Sequence, residues 1–171
     1  MISDKINSAL NEQVNKEFFS SYLYLSMSTY FDSNNWKGMA TWMKFQAQEE
    51  LYHALKFVAY IEESGGRVKL NQVETPQHEW QSPTEVYNDA YNHECFISKS
   101  INEIVDLALE EKDHATHNML QWFVTEQVEE EAAAQEILEK LKLVGDNGVA
   151  LFMIDKELSA RPAPTPPAAD A

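Results

Sequence analysis

Glu50 and His53 stand three residues apart in Ala47-Gln48-Glu49-Glu50-Leu51-Tyr52-His53-Ala54, a run free of glycine and proline. On an α-helix, residues three and four apart share a face, so this carboxylate and imidazole would point the same way. Glu17, Glu94, Gln127 and Glu130 occupy comparable places in other stretches. Carboxylate oxygens with a single imidazole and no thiolate suit iron or manganese better than structural zinc. A glutamate from each half could bridge two ions about 3.5–4 Å apart, the spacing of a two-metal site. Two Fe(II) ions held there could pass two electrons together to bound O2 and avoid a one-electron superoxide step.

Four apolar stripes at steps of three and four carry these groups. One runs Ile6, Leu10, Gln13, Glu17, Tyr24, Phe31, and a second runs Met39, Met43, Gln46, Glu50, His53, Phe57, Tyr60. A third runs Tyr87, Tyr91, Glu94, Ser98, Ile101, Val105, Ala108, and a fourth Met119, Phe123, Gln127, Glu130, Ala134, Ile137, Leu141. Each has its polar group midway along a face that should be buried. Burying ionised carboxylates costs several kcal/mol each unless something pairs with them. The stripes supply too few Lys or Arg, so an external cation is expected.

The spacing puts the groups in register. Glu50 follows Glu17 by 33 residues, and Gln127 follows Glu94 by the same 33. Taken alone, Glu-x-x-His is a weak signal, and 126–131 reads as an acidic solvated face. Tyr24 and Trp122 read singly as core aromatics, and His93, His114 and His117 as surface residues. The joint register across four helices is what separates the set from chance.

Sparse glycine and proline divide the chain. Helices are expected from Asp4 to about Ser33, Trp36 to Glu63, Ser82-Pro83 to about Lys112, and His114 to Val144, with a shorter one from Val149 to Leu158. Ser82-Pro83 is a capping serine followed by proline in the first turn, and Gly65-Gly66 and Gly145 mark helix ends. Short turns make helices one and two, and three and four, antiparallel pairs. The link between helices two and three, about 18 residues, can reach roughly 60 Å, whereas a helix of about 28 residues is about 42 Å long. It can therefore run back along the bundle and leave those helices parallel. The expected fold is all-α: a four-helix bundle with one long crossover, the ferritin-like connectivity, and a short fifth helix. The domain should span residues 1–160, with 161–171 a disordered Pro/Ala-rich tail.

Composition narrows the partners. The net charge of −15 argues against nucleic acid and anionic membranes, which attract basic surfaces. Cys95 is the sole cysteine, which excludes an intrachain disulfide and any CxxC knuckle; it should pack as a small apolar residue. No basic-then-apolar N-terminal run resembles a signal peptide, and no apolar run is long enough to span a bilayer. A cytoplasmic protein is expected.

With these residues in view, the sequence resembles the non-haem bacterial and archaeal ferritins over roughly Met1 to Arg161. The resemblance rests on Leu10-Asn11-Glu12-Gln13 through Glu17, on the 47–54 segment, and on Trp122-Phe123-Val124-Thr125-Glu126-Gln127-Val128-Glu129-Glu130-Glu131. It implies a ferroxidase centre whose first iron is held by Glu17, Glu50 and His53. The second iron would be held by bridging Glu50 with Glu94 and Glu130, Gln127 lying nearby. Glu49, Glu126, Glu129 and Glu130 match the family's third iron position, and Tyr24 its tyrosine beside the centre, an electron-donor candidate with Trp122. The resemblance further implies oxidation of Fe(II) by O2 and ferric mineral stored in a homo-oligomeric shell of 24 subunits. Helix five would line its fourfold contacts, and Glu110 to His114 would lie near its threefold pores. Bacterioferritins carry a second Glu-x-x-His and a haem-ligating Met after the helix-two glutamate. Here those positions hold Gln127, Glu130 and Leu51, so no haem is expected. An oxidase acting on an organic substrate, or a purely structural bundle, are the competing expectations.

Overall fold

The computed structural model describes residues 2–167. Among them are five helices: α1 (Asp4–Ser33), α2 (Lys37–Glu63), α3 (Pro83–Glu110), α4 (His114–Val144) and α5 (Gly148–Leu158). Side chains start four of them. Ser3, Ser82, Asp113 and Asn147 accept from the backbone N–H groups of Ile6, Glu85, Thr116 and Ala150, satisfying donors that a helix start leaves open. α3 stops two residues short of the expected Lys112, because Lys112 adopts a positive φ of 55° that turns the chain into α4.

α2 has no such cap of its own: Trp36 at its start makes no side-chain cap hydrogen bond. Asp155 of α5 supplies one across the fold, its Oδ1 accepting from Met39 N at 2.9 Å. The close docking depends on Gly38. A Cβ built there would lie 1.7 Å from the Asp155 carbonyl oxygen, so any larger residue would force α5 away.

Cross-helix contacts give the directions. Ser21 and Ser28 of α1 donate to the carbonyls of Ala47 and Ala40, so the numbering runs oppositely in α1 and α2. The same reversal relates α2 to α4 through Tyr60–Thr116, Phe57–Phe123 and Gln46–Glu130. It also relates α1 to α3 through Lys16–Ser100 and Phe31–Tyr87. Helices α2 and α3 are thus parallel, as the long link allows.

That link is stitched to α1. Asn7 accepts from Arg67 N, Asn11 bridges Arg67 O and Lys69 N, Asn15 donates to Asn71 O and Gln72 O, and Ser26 donates to Gln77 O. Asn7, Asn11 and Asn15 recur at one-turn spacing, and their amides satisfy the backbone of an extended strap that has no ladder of its own.

The core is two apolar clusters with a polar waist. One joins Tyr24, Met27, Phe31, Met39, Trp42, Met43, Tyr87 and Leu141 to Leu151, Ile154 and Leu158 of α5. The other holds Ile6, Leu10, Phe57, Ile61, Ile97, Ile101, Ile104, Leu120 and Phe123. The α3 stripe is rotated from expectation. Tyr87, Glu94, Ile101 and Ala108 are buried as expected, but Val86, Ala90, Ile97 and Ile104 join them while Tyr91, Ser98 and Val105 sit at the flank. Cys95 is likewise only half-buried, beside Tyr91 rather than in the core.

Candidate metal centre

Between the two clusters, Glu17, Glu50 and Glu94 are at most 1% exposed, and His53 and Gln127 are 4% exposed. No lysine or arginine is among the buried residues described. Glu17 comes from the middle of α1, Glu50 and His53 from α2, Glu94 from α3, and Gln127 and Glu130 from α4. All four long helices therefore contribute at one height.

One ligand atom each from Glu17, Glu50 and His53 lie within 4.8 Å of one another. His53 Nδ1 is 3.5 Å from Glu50 Oε2, and its ring meets Trp122 and Phe123 edge-on, at 5.4 and 5.9 Å between centroids. Those contacts leave the imidazole little freedom to rotate.

Glu17 is set up from behind. Lys16 Nζ donates to Ser100 Oγ at 2.6 Å, Ser100 donates to Gln13 Oε1 at 2.6 Å, and Gln13 Nε2 donates to Glu17 Oε1 at 2.7 Å. The chain fixes which way the Gln13 amide faces. Glu17 Oε2 remains buried with no amide, hydroxyl or backbone donor, its carboxyl having only a proton shared with Glu50 to bond it in the absence of a cation. A buried acceptor without a donor costs free energy, and a cation between Glu17 and Glu50 would remove that cost.

Glu94 and Glu130 belong to no three-residue ligand group among the described residues. Their oxygens are held by neutral donors instead. Tyr24 Oη donates to Glu94 Oε1, and Gln127 Nε2 donates to Glu94 Oε2 at 3.1 Å. Gln46 Nε2 donates to Glu130 Oε2 and reaches Glu50 Oε1 at 3.4 Å. Glu130 is partly buried; Glu49 and Glu126 are half-buried, and Glu129 is exposed.

Electrostatics agree with an acid-rich, solvent-poor site. Burial, then the charge of Glu50, pushes the Glu17 carboxyl well above its ordinary range. Glu50 rises through burial and then Glu94, and Glu130 through burial followed by Glu94 and Glu50. Glu94 is also raised by burial, with the Tyr24 and Gln127 hydrogen bonds working against it. Tyr24 is raised well above its usual value by burial and then Glu94, so it is a neutral phenol at physiological pH. Burial raises Glu126 as well, with Glu129 and Glu49 adding to it. Buried carboxyls of this kind hold protons that a bound cation displaces.

The family model for the ferritin-like domain matches residues 7–144 of this chain. A bacterial non-heme ferritin of Bacteroides fragilis is 46% identical over 161 residues, covering 94% of this chain and all of that protein. One from Escherichia coli O157:H7 is 39% identical over 159 residues, covering 93% and 96%. The chain belongs to the ferritin family. Among solved structures, an open pore ferritin from the hyperthermophilic archaeon Archaeoglobus fulgidus is 53% identical, with a TM-score of 0.94 over 95% of this chain and 100% of that one. A humanized archaeal ferritin is 50% identical, with a TM-score of 0.95, covering 96% and 100%. Membership of this family implies iron binding and iron storage, and the acidic waist of the bundle holds a carboxylate–imidazole group able to take a metal ion.

Two features of this ferritin escaped sequence reasoning. His93, expected at the surface, is wedged between α1 and α3. It shares a 2.7 Å hydrogen bond with Ser20 Oγ, and burial lowers its pKa to about 4. The periodicity of Ser20 relative to Glu17 was its only signal. Arg161, expected within the tail, folds back onto α2 and pairs with Glu49; nothing local in Ala160-Arg161-Pro162 announces that contact. The rest of the tail through 167 carries no regular element, and residues 168–171 lie outside those described.

Proposed function

We propose that this ferritin oxidises Fe(II) with O2 at a dinuclear centre inside each subunit and stores hydrated ferric oxide in a shell of 24 subunits. The observation that carries the reading is Glu17 Oε2, a buried carboxylate oxygen with no amide, hydroxyl or backbone donor, beside Glu50 and His53. Glu17, Glu50 and His53 take one iron. Glu50 bridges to a second iron, which Glu94 and Glu130 take with Gln127 alongside. Glu49, Glu126, Glu129 and Glu130 form a third, peripheral position.

The ions are substrate. Two Fe(II) give up two electrons, enough to reduce O2 to the level of hydrogen peroxide, and hydrolysis of the ferric product releases protons. The protein's share is to bring two ferrous ions together in a dry site and to accept and release protons at its glutamates. Tyr24, hydrogen-bonded to Glu94, and Trp122, against His53, are the oxidisable side chains beside the centre. Leu51, which follows Glu50, offers no ligand atom, so haem has no part in this reading.

Exposed apolar residues support assembly. Val149, Phe152 and Met153 project from α5, and Tyr22, Leu25, Leu51 and Leu55 from α1 and α2; clusters of this kind mark protein contacts. No helix among the described residues is long and apolar enough to cross a membrane. The test is rapid mixing of Fe(II) with oxygenated protein. A fast ferric absorbance rise that Glu50→Ala and His53→Ala both remove supports the centre, and equal rates in wild type and both variants contradict it. Elution near 470 kDa, twenty-four times the 19.6 kDa subunit, supports the shell; a monomer or dimer contradicts it.

A further inference from the structure

Arg161 lies three residues beyond α5, yet its guanidinium is bound on one face of α2. Its Cζ sits 4.4 Å from the centroid of the Trp42 ring. Its Nη1 donates to Trp42 O at 3.1 Å, and its Nη2 donates to Gln46 Oε1 at 2.9 Å and forms an ion pair with Glu49 Oε2. The arrangement uses the planar fork and ring-stacking that distinguish arginine from lysine. The side chain of Arg161 is 18% exposed and that of Glu49 27%, so water and ions can still reach the pair.

The anchor is rigid. Leu151, Ile154 and Leu158 bury α5 in the core, and Asp155 caps α2. Arg161 N bonds Leu158 O at 3.3 Å, closing the turn that aims the side chain at Glu49. Gln46 then links the arginine to the centre. Its carbonyl oxygen accepts from Arg161, so its NH2 group is turned toward Glu50 and Glu130.

We propose that Arg161 is a tethered, displaceable cation that occupies Glu49 and competes with metal for the peripheral position formed by Glu49, Glu126, Glu129 and Glu130. This rests on the reading of those four glutamates as an iron position. While Arg161 holds Glu49 Oε2, the peripheral position is one carboxylate oxygen short and the two inner positions fill first. An ion that takes this oxygen releases the arginine, which also frees Gln46 to turn. Arg161 is thus a positioning residue that sets the order of filling and links the outer position to the inner pair.

The test is anaerobic titration calorimetry of the assembled protein with Fe(II), and separately with Zn(II) as a redox-inert probe. Arg161→Gln removes the charge, and a chain ending at Ala160 removes the segment. Both are expected to bind the third ion about two- to fivefold more tightly, the scale of losing a partly exposed ion-pair competitor, with the first two affinities unchanged. Arg161→Lys, which keeps the charge but loses the fork, is expected to fall between. A third-ion affinity that stays at the wild-type value in both Arg161→Gln and the shortened chain, or that weakens, overturns the proposal. Wild-type protein that binds neither metal overturns the underlying site assignment instead, so the two failures are distinct.

Discussion

Gln13 Nε2 donates a 2.7 Å hydrogen bond to Glu17 Oε1 one helical turn along α1, while Glu17 Oε2 stays buried without a donor. One oxygen of this carboxylate is committed to Gln13 and the other has no amide, hydroxyl or backbone donor. Ser100 and Lys16 hold Gln13 from behind, so the division of labour within Glu17 is built into the packing of α1 against α3.

Replacing Gln13 with leucine should therefore weaken the first metal position. Loss of a donor to a buried charged acceptor costs about 1–3 kcal/mol, so anaerobic Fe(II) titration should show roughly tenfold weaker binding at one position per subunit. Helix content by circular dichroism should be unchanged. Affinity equal to wild type would show that Oε1 needs no donor.

Metal-free protein should be more stable in mild acid than at slightly alkaline pH. Glu17, Glu50, Glu94 and Glu130 have folded pKa values raised above the ordinary 4.5. A raised carboxyl binds its proton more tightly when folded. Its stabilising contribution is complete below pH 4.5 and fades as pH climbs through the raised folded values. Thermal denaturation of the metal-free protein from pH 5.5 to 8 should show a falling Tm, and saturating divalent ion should flatten that slope. A Tm that rises with pH without metal would contradict the origin assigned to these shifts.

Tyr24→Phe removes the phenol that donates to Glu94 Oε1. Two ferrous ions should still bind, because no proposed ligand is lost. Oxidation after oxygen is admitted should slow about tenfold, the scale of one lost hydrogen bond to a charged group. Stopped-flow absorbance beside the binding titration separates the two effects, and a loss of binding with an unchanged rate constant would reverse the assignment.

Gly38→Ala places a Cβ 1.7 Å from the Asp155 carbonyl. The clash should lift α5 off α2, break the cap on Met39 N and lower stability by about 2–3 kcal/mol. Differential scanning calorimetry measures the loss, and size exclusion should show weakened assembly if α5 forms subunit contacts. A Tm within one degree of wild type would mean that α5 tolerates displacement.

These tests also mark what a sequence can carry. Ser82-Pro83 and Gly145 located their helix ends because capping and left-handed backbone are local chemistry. The shared height of Glu17, Glu50, Glu94 and Gln127 was legible as well, because two hairpins of equal spacing leave few other registers. Asp155 capping α2 was not legible, nor was Arg161 reaching Glu49; both join residues more than a hundred positions apart and depend on where α5 docks. The rotation of the α3 stripe toward Ile97 and Ile104 was hidden because Tyr91 and Val105 are also apolar, so hydrophobic period alone fits two adjacent faces. His93 was missed for a related reason: a histidine beside a glutamate reads as solvated until Ser20 is brought against it.

The central claim is that two irons bind together within one subunit. The most direct measurement is anomalous diffraction at the iron edge from crystals soaked anaerobically with Fe(II). The account predicts two peaks about 3.5–4 Å apart, one beside Glu17, Glu50 and His53 and the other beside Glu50, Glu94 and Glu130. Iron found solely on the outer carboxylates, with the Glu17–Glu50–His53 group free of density, would contradict it.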